Sequence, residues 1–181
     1  MMQIVVNFDD TYVPVTLNQE LTLMTFMAPQ KLGADQELLI KIEPLGNPFL
    51  PNVFNLGFGP PDGAGGFVDN VRLKHENPDK VFSTVLFMGL AFLGENEGLT
   101  LGVDGSDDLR ATLYQMMFKT NKDYLDEYFI PLGVDYYVRI FRDGSYEAYP
   151  DHSPFAKPKA EAFDYDRSRH DLYRYYLFRL K

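Results

Sequence analysis

The spacing of apolar residues changes period along this chain, and that change limits the folds open to it more than any single motif does. Through the first forty-odd residues the apolar positions come in short runs rich in β-branched and aromatic residues: "QIVVNF" (3–8), "YVPVTL" (12–17), "LTLMTF" (21–26) and "LLIKIE" (38–43). Asp9-Asp10 and Asn18-Gln19 mark turns between the first three, and "APQKLGAD" (28–35) reads as a loop. Pro14 removes a ladder donor, so the second run is expected at an edge or a bulge. Next, "VFNLGFG" and "GFVDNVRLK" flank "PPDGAGG", which predicts a β-hairpin with Phe54, Leu56 and Phe58 on one face.

The pattern then lengthens to that of a helix. In "NPDKVFSTVLFMGLAFLGE", Asn77 suits an N-cap, Pro78 the first helical position, Asp79 the positive end of the dipole and Gly94 the C-terminal cap. A helix over about 78–93 follows, apolar nearly all round and therefore buried on more than one side. Gly89 in its middle permits close packing. After a strand at "LTLGV" (99–103), a second helix is expected over about 107–129, with Leu109, Leu113, Met116, Thr120, Tyr124 and Tyr128 on its packed face.

Strands return in "DYYVRIF" and "SYEAY", joined by the tight turn Arg142-Asp143-Gly144. A long surface loop at 150–171 and a final strand, "LYRYYLFRL", complete the chain. The order implies an α+β fold: an antiparallel or mixed sheet with two main helices packed on it. At 181 residues, 45% of them hydrophobic, one domain over 1–181 buries a core without covalent staples.

Residues 53–115 resemble small uncharacterised bacterial proteins, mostly from Bacteroidetes, catalogued as domains of unknown function. The pieces that carry the resemblance are "FNLGFG", "NPDKVFSTV" and "GSDDLRATLY", in that order. The resemblance implies strand, helix, strand, helix and imports no activity. The second helix of that family often bears several arginines; here Arg110 stands alone, with Thr112 and Gln115 in the neighbouring places.

Composition excludes several chemistries. With no cysteine there is no disulfide, thiolate metal site or cysteine nucleophile. A net charge of -9 repels phosphate backbones, which disfavours nucleic acid as a partner. "MMQIVVNFDDTYVPV" has no basic region followed by an apolar stretch, and no run reaches membrane-spanning length, so a cytoplasmic protein without a membrane partner is expected.

The densest polar cluster is "VDGSDDLRATLY". As the start of a helix it is fully explained: Asp104-Gly105 turns the chain, Ser106 caps, and Asp107 and Asp108 complement the dipole. The alternative is a metal-dependent nuclease or phosphoesterase, in which Asp104, Asp107 and Asp108, joined by Asp69, hold Mg²⁺ or Mn²⁺ while Arg110 steadies a phosphate. Arg174 and Tyr176 in the last strand offer a stacking and charge pair for single-stranded nucleic acid, against the simpler reading of a core strand. His75, His152 and His170 show no metal-ligand spacing, and "PPDGAGG" lacks the lysine of a phosphate loop. The reading favoured is a non-enzymatic protein-binding or regulatory domain without a cofactor. Its expected context is a toxin–antitoxin or phage-defence pair, with a protein partner or self-association.

Overall fold

The computed structural model describes residues 3–69 and 71–181; Asn70, in the second arm of the expected hairpin, lies outside them. Four strands come first: β1 (Thr16–Leu17), β2 (Leu23–Ala28), β3 (Gln36–Pro44) and β4 (Val53–Gly59). They form an antiparallel meander. Helix α1 (Pro78–Glu95) then crosses over to β5 (Thr100–Asp104), which lies parallel to β4. After α2 (Asp108–Thr120) and the single turn α3 (Lys122–Leu125) come β6 (Phe129–Val138), β7 (Ala156–Ala162) and β8 (Tyr175–Leu180). The sheet order is β1-β2-β3-β4-β5-β8-β6-β7, so the last strand lies between β5 and β6. The fold is α+β with a mixed sheet and two main helices, as the sequence implies.

α1 begins as its residues dictate. The Asn77 side chain accepts from Lys80 N at 3.1 Å, and Pro78 occupies the first turn. The helix runs on to Glu95, with Asn96 rather than Gly94 at its C-terminal cap. Gly89 is where it meets the sheet: a Cβ there would lie 3.0 Å from Leu101 and 3.4 Å from Leu56. Strand alternation sends Met24, Phe26, Leu38, Ile40, Leu56, Leu101, Val103, Tyr176 and Phe178 to the helix-covered face, in one continuous core. The opposite face carries a smaller buried cluster of Leu50, Val53, Val134, Tyr175 and Leu177.

Four expectations are corrected. The hairpin turn forms, with Pro61 bridged to Phe67, but its second arm does not continue as a strand; β4 is flanked by β3 and β5 instead. The Phe67 ring folds over Gly57, where a Cβ would block it. The second helix stops at Thr120, because the buried Asn121 turns its side chain to Met117 O (2.8 Å) and to the chain's N-terminal segment. Its buried stripe is Ala111, Gln115 and Phe118, with Met117, whereas Leu109 is 68% exposed. The 150–171 segment is not a continuous loop: β7 lies in it and pairs with β6 over seven positions.

The fourth correction concerns "QIVVNF". Its alternation is real, since Ile4, Val6 and Phe8 are buried, yet it joins no strand. It lies as an extended strap against α1, α2 and α3. Burying those three side chains contributes roughly 1.5–3 kcal/mol each.

Candidate functional site

β4 and β5 are the parallel pair, and in sheets with parallel strands the carboxyl ends are where connecting loops converge. Here the loop after β4 meets the start of α2. Asp104 ends β5 and accepts from Ser106 N (2.8 Å) and Ser106 Oγ (3.2 Å), which tightens the turn. The helix cap therefore falls one residue later than expected: Asp107 accepts from Arg110 N at 2.8 Å.

Arg110 is the centre of the cluster. Its Nε lies 3.2 Å from Asp107 Oδ2, one terminal nitrogen 3.9 Å from Asp104 Oδ2, and the other 3.6 Å from Asp69 Oδ2. That last nitrogen also donates to the Asp69 carbonyl at 2.6 Å. Three of the four expected carboxylates, Asp69, Asp104 and Asp107, converge, and they do so on the Arg110 guanidinium. Asp108 points elsewhere and pairs with Arg174 at 2.7 Å. Among the described residues no group of three or more His, Asp or Glu side chains is arranged to hold a metal. Each pair is substantially exposed and contributes about 0.2–1 kcal/mol. Through Arg110 the cluster ties the 60–69 loop to α2.

The two residues considered for nucleic acid separate in the same way. Tyr176 has no exposed surface; its hydroxyl donates to Ala111 O at 2.9 Å beneath α2, so neither ring face is open to a base. Burial raises its hydroxyl pKa well above the ordinary value. Beside it, Tyr175 faces the other side of the sheet, lies over Gly102 and donates to Asn55 Oδ1 at 2.6 Å. His75 is half-buried, with Nδ1 2.9 Å from Gln30 Nε2, and burial lowers its pKa.

Sequence reasoning missed the face opposite the helices. Along β6, Ile130 and Tyr136 are exposed there, and Leu132 and Val134 join the small cluster. Between β6 and β7 the chain folds into an arm, 139–155, built from two turns of the same design. In "FRDGS" Phe141 N donates to Ser145 O and Gly144 N to Phe141 O; in "YPDHS" Tyr149 N donates to Ser153 O and His152 N to Tyr149 O. Asp143 and Asp151 each accept from the backbone and hydroxyl of the serine two residues on, which holds both carboxyls below their usual range. Gly144 and His152 both take positive φ, 86° and 67°. The arm displays Ile140 (73% exposed), Phe141, Tyr146 and Tyr149. Next to it, Phe49, Leu50, Val53, Leu132, Pro158 and Leu177 line a shallow cleft of about 200 Å³. The eight-residue echo of "FRDGS" in "YPDHS" is the sequence signal that marks this arm.

The molecule is therefore an α+β protein whose sheet is clothed by helices on one face and bears exposed apolar groups on the other. Residues 9–152 match a family described as a family of unknown function, DUF6934, and the chain belongs to it. That span is wider than the 53–115 stretch carrying the resemblance. Comparison with curated proteins and with solved structures finds no match.

Proposed function

We propose that this protein is a non-enzymatic binding or regulatory domain of the bacterial cytoplasm that works through contact with a protein partner or another copy of itself. One observation supports the reading: Tyr136, Ile140, Phe141, Tyr146 and Tyr149, all on β6 or its arm, are each exposed. Grouped exposed apolar residues of this kind are a cost in isolation and an asset at an interface. The net charge of -9 favours a partner with a basic surface. No helix among the described residues is long and apolar enough to cross a membrane. The regulatory setting, a toxin–antitoxin or phage-defence pair, rests on the resemblance to small bacterial proteins.

The test is a mild, low-salt co-purification of the tagged full chain from its native host, with proteins and nucleic acids in the eluate compared with a mock sample. The expected result is a stoichiometric protein, or a self-associated chain, that is lost when Ile140→Glu and Tyr146→Glu are combined. A monomer that retains nothing would overturn the reading.

A further inference from the structure

The N-terminal strap is held to the body of the protein by side chains rather than by a ladder. Its backbone is received by side chains: Val5 N donates to Asp79 Oδ1 (3.0 Å), Val6 N to Asn121 Oδ1 (2.9 Å), Asn7 N to Ser83 Oγ (2.9 Å) and Phe8 N to the Tyr124 hydroxyl (2.9 Å). Asn121 Nδ2 donates in return to Ile4 O at 2.8 Å. Among the described residues, the one hydrogen bond from residues 3–8 to another main-chain group is local, Asp10 N to Asn7 O. Ile4, Val6 and Phe8 point inward while Val5 is 54% exposed. The Phe8 ring sits among Phe87, Tyr124, Tyr128 and Phe129, with centroids 5.0–6.3 Å away.

This is how a groove reads an extended peptide: side-chain acceptors take successive amides, and alternate pockets take alternate side chains. We propose that the groove between α1 and the α2–α3 corner is a segment-binding site, that residues 4–8 are its resident ligand, and that the same segment of a second copy of this chain replaces it. Among the described residues, lifting the strap breaks no sheet ladder and no main-chain helix bond. Beyond the strap the chain is fixed again at Tyr12, whose N donates to Thr84 Oγ1 at 2.9 Å and whose ring stacks on Phe26. Asp9, Asp10 and Thr11 form the hinge, spanning about 10 Å when extended; Asp10 in it pairs with Lys80 of α1 at 3.4 Å, a partly exposed contact that lifting the strap must also loosen. A strap from another copy makes the same contacts as the resident one, so the exchange conserves them and is driven by concentration. The groove lies on the helix side of the sheet, opposite the open face of β6.

Native-state hydrogen exchange on the full chain is the first measurement. The Val6 and Phe8 amides should exchange at least about 100-fold faster than those of Leu38 and Ile40, by an opening insensitive to low denaturant. Light scattering of the wild type after size exclusion should show a dimer that forms on incubation at high concentration and reverts on dilution. In full-length Phe8→Ala, a peptide of residues 3–12 should raise the melting midpoint by several degrees while a scrambled peptide does not. Strap amides that exchange with β3, by whole-molecule unfolding, would overturn the separable strap. A peptide effect with a monomer at every concentration would overturn the second copy as occupant. If Phe8→Ala does not fold, the two wild-type measurements decide.

Discussion

Replacing Asn121 with alanine removes one side chain that both ends α2 and holds the strap. Two buried main-chain groups lose their partners, the Val6 N–H and the Ile4 carbonyl. Each such group left unpaired costs about 1–3 kcal/mol, so the pair costs about 2–6 kcal/mol. For a chain of this length a loss of about 3 kcal/mol lowers the melting midpoint by roughly 6–12 °C. The chain has 12 tyrosines and no tryptophan, so urea unfolding is followed by tyrosine fluorescence and far-ultraviolet circular dichroism. Asn121→Asp keeps an acceptor for Val6 but faces the carbonyls of Ile4 and Met117 with a carboxylate. It should be at least as destabilising near neutral pH. A change within about 0.5 kcal/mol for Asn121→Ala, the range of an ordinary surface substitution, would refute the argument that these bonds hold the strap.

Three further outcomes follow from the same geometry. Gly102→Val should cost about 1–3 kcal/mol, because a Cβ overlaps the Tyr175 ring and dislodges it from Asn55; wild-type stability in urea would count against this packing. Burial pushes the Tyr114 hydroxyl up to about 12 and raises those of Tyr175 and Tyr176 further. Their folded values exceed the unfolded value near 10, so this contribution is intact below pH 10 and disappears as pH rises toward and beyond 12. An absorbance titration at 295 nm should show these tyrosines ionising together with loss of the circular dichroism signal; ionisation of Tyr175 and Tyr176 without unfolding would contradict their burial. Millimolar Mg²⁺ or Mn²⁺ should leave the melting midpoint unchanged, since Arg110 occupies the centre of the carboxylates. A rise that vanishes in Asp104→Ala would instead place a cation there.

What could be read in advance was whatever is settled within a few neighbouring residues. The Asn77-Pro78 helix start, the close approach at Gly89, the edge position of the run containing Pro14 and the tight turn at Gly144 are local matters, and each is found in the fold. Period two in "QIVVNF" correctly marks alternate burial, but periodicity does not say whether the partner is a strand or a groove between helices. That depends on Asn121, 115 positions away from Val6. The same limit explains the missing hairpin arm: Phe67 finds the bare surface of Gly57 and Val68 N returns to Pro60 O, so the turn closes on β4 while α1 carries the chain away. Of the polar cluster, the sequence shows that Asp104, Asp107 and Arg110 are close. It also suggests Asp69 as a fourth member, but not that Asp69 pairs with Arg110 itself, nor that Asp108 turns to Arg174.

The place of β8 bears on how the chain reaches this structure during synthesis. β5 and β6 do not pair with each other; the whole joint between the β1–β5 and β6–β7 parts of the sheet is made by residues 175–180. Until those residues leave the ribosome, a nascent chain carries two exposed strand edges and lacks Tyr176 and Phe178 beneath its helices. Closure of the sheet therefore waits for its last strand, and truncation before Tyr175 leaves two half-sheets open to wrong pairing.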